Sequence, residues 1–125
     1  MDEGRGIIRI WSGTVTGGEL EAAAKAESQD EERTRRLKYG IVDLSDVTEL
    51  AMTPEDIRGI VTQHTRTAAL MRRGAFAIVA PKDVVFGFAR MWQVMVERTG
   101  WETQVFRSRA EADAWIQLFR ERERP

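Results

Sequence analysis

Two short apolar runs, "LKYGIVDLS" at residues 37–45 and "GAFAIVA" at residues 74–80, do most to narrow the folds open to this chain. Each is too short for a core helix and lacks the polar alternation of a strand wetted on one side. Each therefore reads as a strand buried on both faces, which requires helices on either side of it. Helical patterns stand where they are needed. "ELEAAAKAES" precedes the first run. Between the two, from Pro54 to about Met71, the residues Ile57, Ile60, Val61, Ala68 and Met71 fall on one helical face. Asp83 to Glu97 and "SRAEADAWIQLFRE" follow. "GIIRIWSGTVT" reads as an N-terminal strand that ends at the Gly17-Gly18 break, and "WETQVFR" as a more polar edge strand. "QDEERTRR" is read as a solvated connection. Strand and helix alternate four times, which predicts an α/β domain with a mostly parallel sheet of four to five strands and about four helices.

At 125 residues and 42% hydrophobic, the chain can bury one core, so residues 1–125 are expected to form a single domain with a charged tail at about 120–125. The absence of cysteine excludes disulfides and thiolate nucleophiles. Lys plus Arg number 19 and Asp plus Glu 20, with the signs interspersed in runs such as "DEERTRR". Phosphate binding needs a one-sided basic field, so nucleic acid is not an expected partner. The opening "MDEGRGIIRIW" has no basic segment followed by a long apolar one, and no window reaches membrane-spanning length. A soluble, cytoplasmic protein without a transmembrane segment is the expectation.

"YGIVDLSDVTELAMTPEDI" resembles the central motif of the STAS superfamily (sulfate-transporter and anti-sigma-factor-antagonist domains), in which a buried strand ends in Asp-Leu-Ser and a short loop leads into a helix. "SGTVTGGEL", "AFAIVAPKDVVFGFARMWQV" and "TQVFRSRAEADAWI" are similar to the divergent branch of small bacterial STAS-like proteins, which are also compared with lipid-transfer domains. The likeness spans nearly the whole chain and implies a STAS-like fold with a regulatory or binding role. In antagonist members of the family the turn carries a phosphorylatable serine within an Asp-Ser-Ser-Gly-like sequence. The corresponding residues here are "AMTP", where Thr53 alone offers a hydroxyl and the Ser-Gly elements are missing.

Each candidate site has a structural and a functional reading. Thr53, followed by Pro54 and by Asp56 three residues on, has the signature of a capping box, which accounts for its hydroxyl without a phosphosite. Ser108 with Glu111 has the same signature. Asp43, Ser45 and Asp46 end one inferred strand, and Lys82 and Asp83 end the next. Strand ends of open α/β sheets form ligand crevices, and two carboxylates with a lysine could hold Mg²⁺ and a phosphate. The structural reading has Asp83 capping the next helix and the others capping turns. His64 falls inside the apolar stripe of its helix, on the order of 16 Å along it from Thr53 at ~1.5 Å per residue. It is therefore expected at the far end of the sheet from Asp43 and Asp83, as a hydrogen-bonded core or rim histidine.

The segment "DVVFGFARMWQVMVE" is the least ordinary. Its apolar residues from Val84 to Val96 spread over roughly 160°, wider than the ~100° that one-sided packing requires, with Phe86 and Val94 outside even that arc. Gly87 in its interior is costly unless something approaches closely. The segment is either a deeply packed helix or one whose face, around Phe86, Gly87, Arg90, Trp92 and Val94, meets a protein partner, a second copy, a small apolar ligand or a membrane surface. With no P-loop and no complete catalytic set, the leading expectation is a non-enzymatic regulatory or binding module, without cofactor or metal. The alternatives are a phosphorylation-switched anti-sigma antagonist, or a metal-assisted phosphate enzyme using the strand-end carboxylates.

Overall fold

The computed structural model describes residues 5–71 and 73–123. The elements run β1 (Gly6–Thr16), α1 (Gly17–Gln29), α2 (Glu31–Arg36), β2 (Tyr39–Ala51), α3 (Pro54–Leu70), β3 (Ala75–Val79), α4 (Asp83–Met95), β4 (Glu102–Phe106) and α5 (Arg109–Arg122). A single 3₁₀ turn, Glu97–Thr99, links α4 to β4, and Gly100 follows it at φ +81°, a conformation that favours glycine. The four strands form one sheet in the order β1-β2-β3-β4, and every neighbouring pair is parallel. The expected parallel α/β architecture is therefore present, with four strands and five helices, four of them long.

Each strand passes to its immediate neighbour through a helical crossover, and crossovers of one hand place their helices on one side of the sheet. Accordingly, α3 and α4 pack with Leu44, Val47 and Ile78 in one core layer, and Leu20 of α1 packs against the same layer. Ala112, Ile116 and Phe119 of α5 form the second layer against Tyr39, Ile41, Ala75, Ala77 and Val79. The alternation along β2 and β3 divides the two layers: Ile41 and Ala77 face α5, while Val42 and Ile78 face α3 and α4. Among the described residues no second helix joins α5 on its face, and Ile10 of β1 is left exposed.

Three local expectations are corrected. The strand through Asp43 does not stop there: β2 continues to Ala51 and pairs with β1 as far as Thr16↔Ala51, well past its last partner in β3, Val79. The two strands thus project as a ribbon beyond the sheet, with register shifts beside Ile10 and at Gly13, whose φ is +70°. "QDEERTRR" is not a bare connection, because residues 31–36 form α2. Asp30 caps it, Glu31–Arg35 and Glu32–Arg36 pair at i,i+4, and the buried Thr34 hydroxyl donates to the Glu27 carbonyl. The alanine-rich α1 packs chiefly along α3 rather than on the sheet. The Glu21 carboxylate lies over Gly59, where only the end of that flexible side chain would have to move to admit a larger residue.

The cap expected at Thr53 is present. Its Oγ1 accepts from the Asp56 amide at 3.3 Å, and Asp56 Oδ2 accepts from the Thr53 amide at 2.8 Å. Thr53→Ala is expected to cost about 1 kcal/mol and Thr53→Ser almost nothing, read from urea unfolding midpoints. Ser108 caps α5 through its hydroxyl oxygen, which accepts from the Glu111 amide at 3.3 Å, but Glu111 Oε1 takes the Ser108 hydroxyl rather than its amide, so the reciprocal half of the box is not made. Of the expected charged tail, Arg120 to Arg122 continue α5, Arg122 pairs with Glu102 and Glu123 with Arg73. Residues 124–125, like 1–4 and 72, lie outside the described residues.

Candidate functional site

The core layer under α1, α3 and α4 is not filled. It leaves a pocket of about 120 Å³, partly open to the outside, with an almost wholly apolar wall. Gly40 of β2 forms part of the floor. A Cβ there would lie 2.9 Å from both Ile7 and Phe76, so glycine lets those two side chains close over the strand. Ala24 of α1 and Ile57 and Ile60 of α3 form the roof, and Val85, Phe88, Ala89 and Trp92 of α4 form a flank. At one edge Arg9 Nε donates to Glu27 Oε1 at 3.0 Å, tying β1 to α1.

The other end of the cavity is aromatic. Trp101, just ahead of β4, lies on Phe76 of β3 with ring centroids 4.3 Å apart, and His64 sits 5.6 Å from Trp101 and 5.7 Å from Trp92. Trp92 Nε1 donates to His64 Nδ1 at 2.8 Å. That bond leaves the proton of the neutral imidazole on Nε2. Burial pushes the His64 pKa down from 6.5 to about 4, so the ring is uncharged at neutral pH. His64 is thus a hydrogen-bonded histidine of the cavity wall, near the start of β3 and β4, while Asp43 lies at the opposite end of β3 beside Val79.

The residues singled out along Asp83–Met95 divide between inside and outside. Trp92 is buried and belongs to the cavity wall. Phe86 is half-buried, with the Arg107 guanidinium 4.0 Å above its ring. Gly87 and Arg90 are exposed, nothing lies within 4 Å of a Cβ built on Gly87, and Val94 is 62% exposed. Among the described residues the chain thus offers no close approach to account for that glycine. The wide apolar arc is accounted for by two faces: Val85, Ala89 and Trp92 point into the core, while Val84, Met91 and Val94 lie on the outer surface.

The strand-end residues do not form one cluster. Asp43 is buried on the α5 side of the sheet. It accepts from the Ser45 amide at 2.9 Å and hydroxyl at 2.5 Å, and its other oxygen meets Arg109 at 3.3 Å. Burial raises the Asp43 pKa, but the Ser45 hydrogen bonds and Arg109 outweigh it and hold the carboxyl below its ordinary value. Lys82 instead reaches back to the ribbon and donates to the Val47 carbonyl at 2.5 Å. Asp83 does not cap α4. It is the first helical residue, after an N-cap position at Lys82 that makes no side-chain cap bond, and it pairs with Arg107 at 2.7 Å. Asp46 is exposed on the ribbon. Among the described residues no group of three or more His, Asp or Glu is placed to hold a metal ion. Nor is any helix among them long and apolar enough to cross a membrane.

No family model, curated protein or solved structure matches this chain.

Proposed function

We propose that the protein is a non-enzymatic binding module that takes up one small apolar molecule in the cavity between the sheet and α1, α3 and α4. The order of segments that resembles the small STAS-like, lipid-transfer-compared branch accords with this role. The observation that carries it is the cavity itself. Protein cores are packed as densely as organic crystals, and voids larger than a water molecule are few. Here a void of about 120 Å³ persists beside Leu, Ile, Val and aromatic side chains that could have filled it. Dry cavities of about 150 Å³ with such walls accept benzene, so a benzene-sized body is the natural occupant.

Toluene tests the reading. At ten times its dissociation constant it should stabilise the folded chain by about 1.4 kcal/mol and raise Tm by roughly 5 °C. Ala24→Leu directs three further carbons into the void. That variant should be at least as stable as the parent, by about 0.5–2 kcal/mol, yet lose the toluene-dependent shift. A parent Tm that ignores toluene, or a shift that survives Ala24→Leu, would remove the cavity as the binding site.

A further inference from the structure

The charged edge of the pocket holds a guanidinium where the strand pattern asks for an apolar side chain. Ile7, Arg9 and Trp11 alternate along β1 onto the pocket face, while Ile8 packs on the opposite one. Among the described residues Arg9 is the one cation of the pocket wall and Glu27 the one anion, because burial keeps His64 uncharged at neutral pH. The two are not equally presented. The Arg9 side chain is 35% exposed and that of Glu27 16%, so a molecule arriving from outside meets the guanidinium before the carboxylate. Glu27 Oε1 takes only the Nε–H of Arg9, at 3.0 Å, and neither Nη group bonds elsewhere among the described residues. A guanidinium carries five N–H donors on different edges and can serve two carboxylates at once. Here one edge is held by Glu27, which fixes the plane of the group, and the Nη edge keeps the parallel donor pair that matches a carboxylate. An amine at this edge would meet a like charge first.

We infer that the ligand is a small amphipathic carboxylate, of the arylalkanoate or short fatty-acid class, whose carboxylate accepts from the Nη groups of Arg9 while its apolar body lies in the pocket. Glu27 is a positioning residue that orients the guanidinium for it. The inference rests on the proposed binding function and adds to it the charged end of the ligand.

The test compares hydrocinnamate with benzylacetone, its neutral methyl-ketone isostere, by calorimetry on the parent and on Arg9→Gln. A plain apolar pocket disfavours the carboxylate, which gives up far more hydration on entry, so the informative quantity is the ratio of the two affinities. In the parent, hydrocinnamate should bind at least as tightly as benzylacetone. Arg9→Gln keeps a donor for Glu27 and removes the charge and the paired N–H groups. It should shift the ratio against hydrocinnamate by on the order of tenfold or more and leave benzylacetone binding within about threefold. An Arg9 that serves only to tie β1 to α1 would change stability and leave the ratio where it was. That outcome, or a parent that prefers the ketone, overturns the inference while leaving the binding function intact. If hydrocinnamate, benzylacetone and toluene all fail to bind the parent, the binding function itself fails. Should Arg9→Gln not fold, the guanidinium ¹⁵N–¹H resonances of Arg9 in the parent decide. A downfield proton shift with hydrocinnamate and none with benzylacetone supports the inference, whereas equal responses to the two overturn it.

Discussion

Lowering the pH from 7 toward 4 is expected to remove up to about 3 kcal/mol of stability through one residue, His64. Its imidazole titrates near 4 in the folded chain, because burial disfavours the charged ring, and near 6.5 where it is free. Between those values the unfolded chain binds a proton that the folded chain refuses. Stability is therefore intact above about pH 6.5 and declines as the pH falls toward 4. Two carboxyl groups with displaced titrations act elsewhere. The hydrogen bond from Arg122, joined by Arg73, holds the Glu102 pKa below 4.5 despite partial burial, and Asp43 lies below 3.8. Their contributions are present above those values and fade only at lower pH, so the interval from 6.5 to 5 isolates the histidine. His64→Gln retains an acceptor for Trp92 Nε1 and removes the titration. Urea midpoints at a series of pH values should be nearly flat across that interval for the variant and fall for the parent. Parallel curves would assign the acid sensitivity to other groups.

Phe119→Ala is expected to destabilise the protein by about 4 kcal/mol, a large share of the roughly 5–15 kcal/mol typical of a domain. Phe119 is 1% exposed and packs with Ile116 and Ala112 against Tyr39, Ile41 and Ala77. α5 alone supplies the helical side of that layer, so no neighbouring helix can close over the space left behind. Leu118, the preceding residue of the same helix, is mostly exposed, and Leu118→Ala should change stability by no more than about 0.5 kcal/mol. The two variants share a helix and differ in burial. Equal costs would mean that α5 contributes through helix formation rather than through packing on the sheet.

The parts of the fold that could be read from sequence are those where one local signal dominates. β3 and the first half of β2 are covered on both sides, so their residues form unbroken apolar runs. The starts of α3 and α5 carry hydroxyl residues three positions ahead of a carboxylate. The second half of β2 was hidden because the ribbon is wetted on one side: Asp46, Thr48 and Glu49 alternate with buried Val47 and half-buried Leu50, and so many polar residues read as loop. α2 was hidden because its support is i,i+4 charge pairing and a cap, with no apolar stripe to announce it.

The site was legible only in part. The apolar excess of α4 was visible, but residue types could not show that Trp92 turns inward while Val84 and Val94 turn outward. Ala24, Gly40, Phe76 and Trp101 gave no signal of a shared cavity. They belong to elements far apart in sequence, and a void is a property of how those elements meet. His64 could be placed at the correct end of the sheet by counting helical rise. Its partner Trp92, 28 residues away, could not be found by counting.

Strand order that follows chain order has a consequence for synthesis. As the chain emerges from the ribosome, β2 finds β1 already outside, β3 finds β2, and β4 finds β3, so no strand waits for a partner not yet made. The cavity-bearing layer can close with the helices that lie between those strands. α5 comes last and covers the opposite face, so until residues 109–122 are released that face has no lid, and the nascent chain presents Tyr39, Ile41, Ala75 and Ala77 to whatever surrounds it.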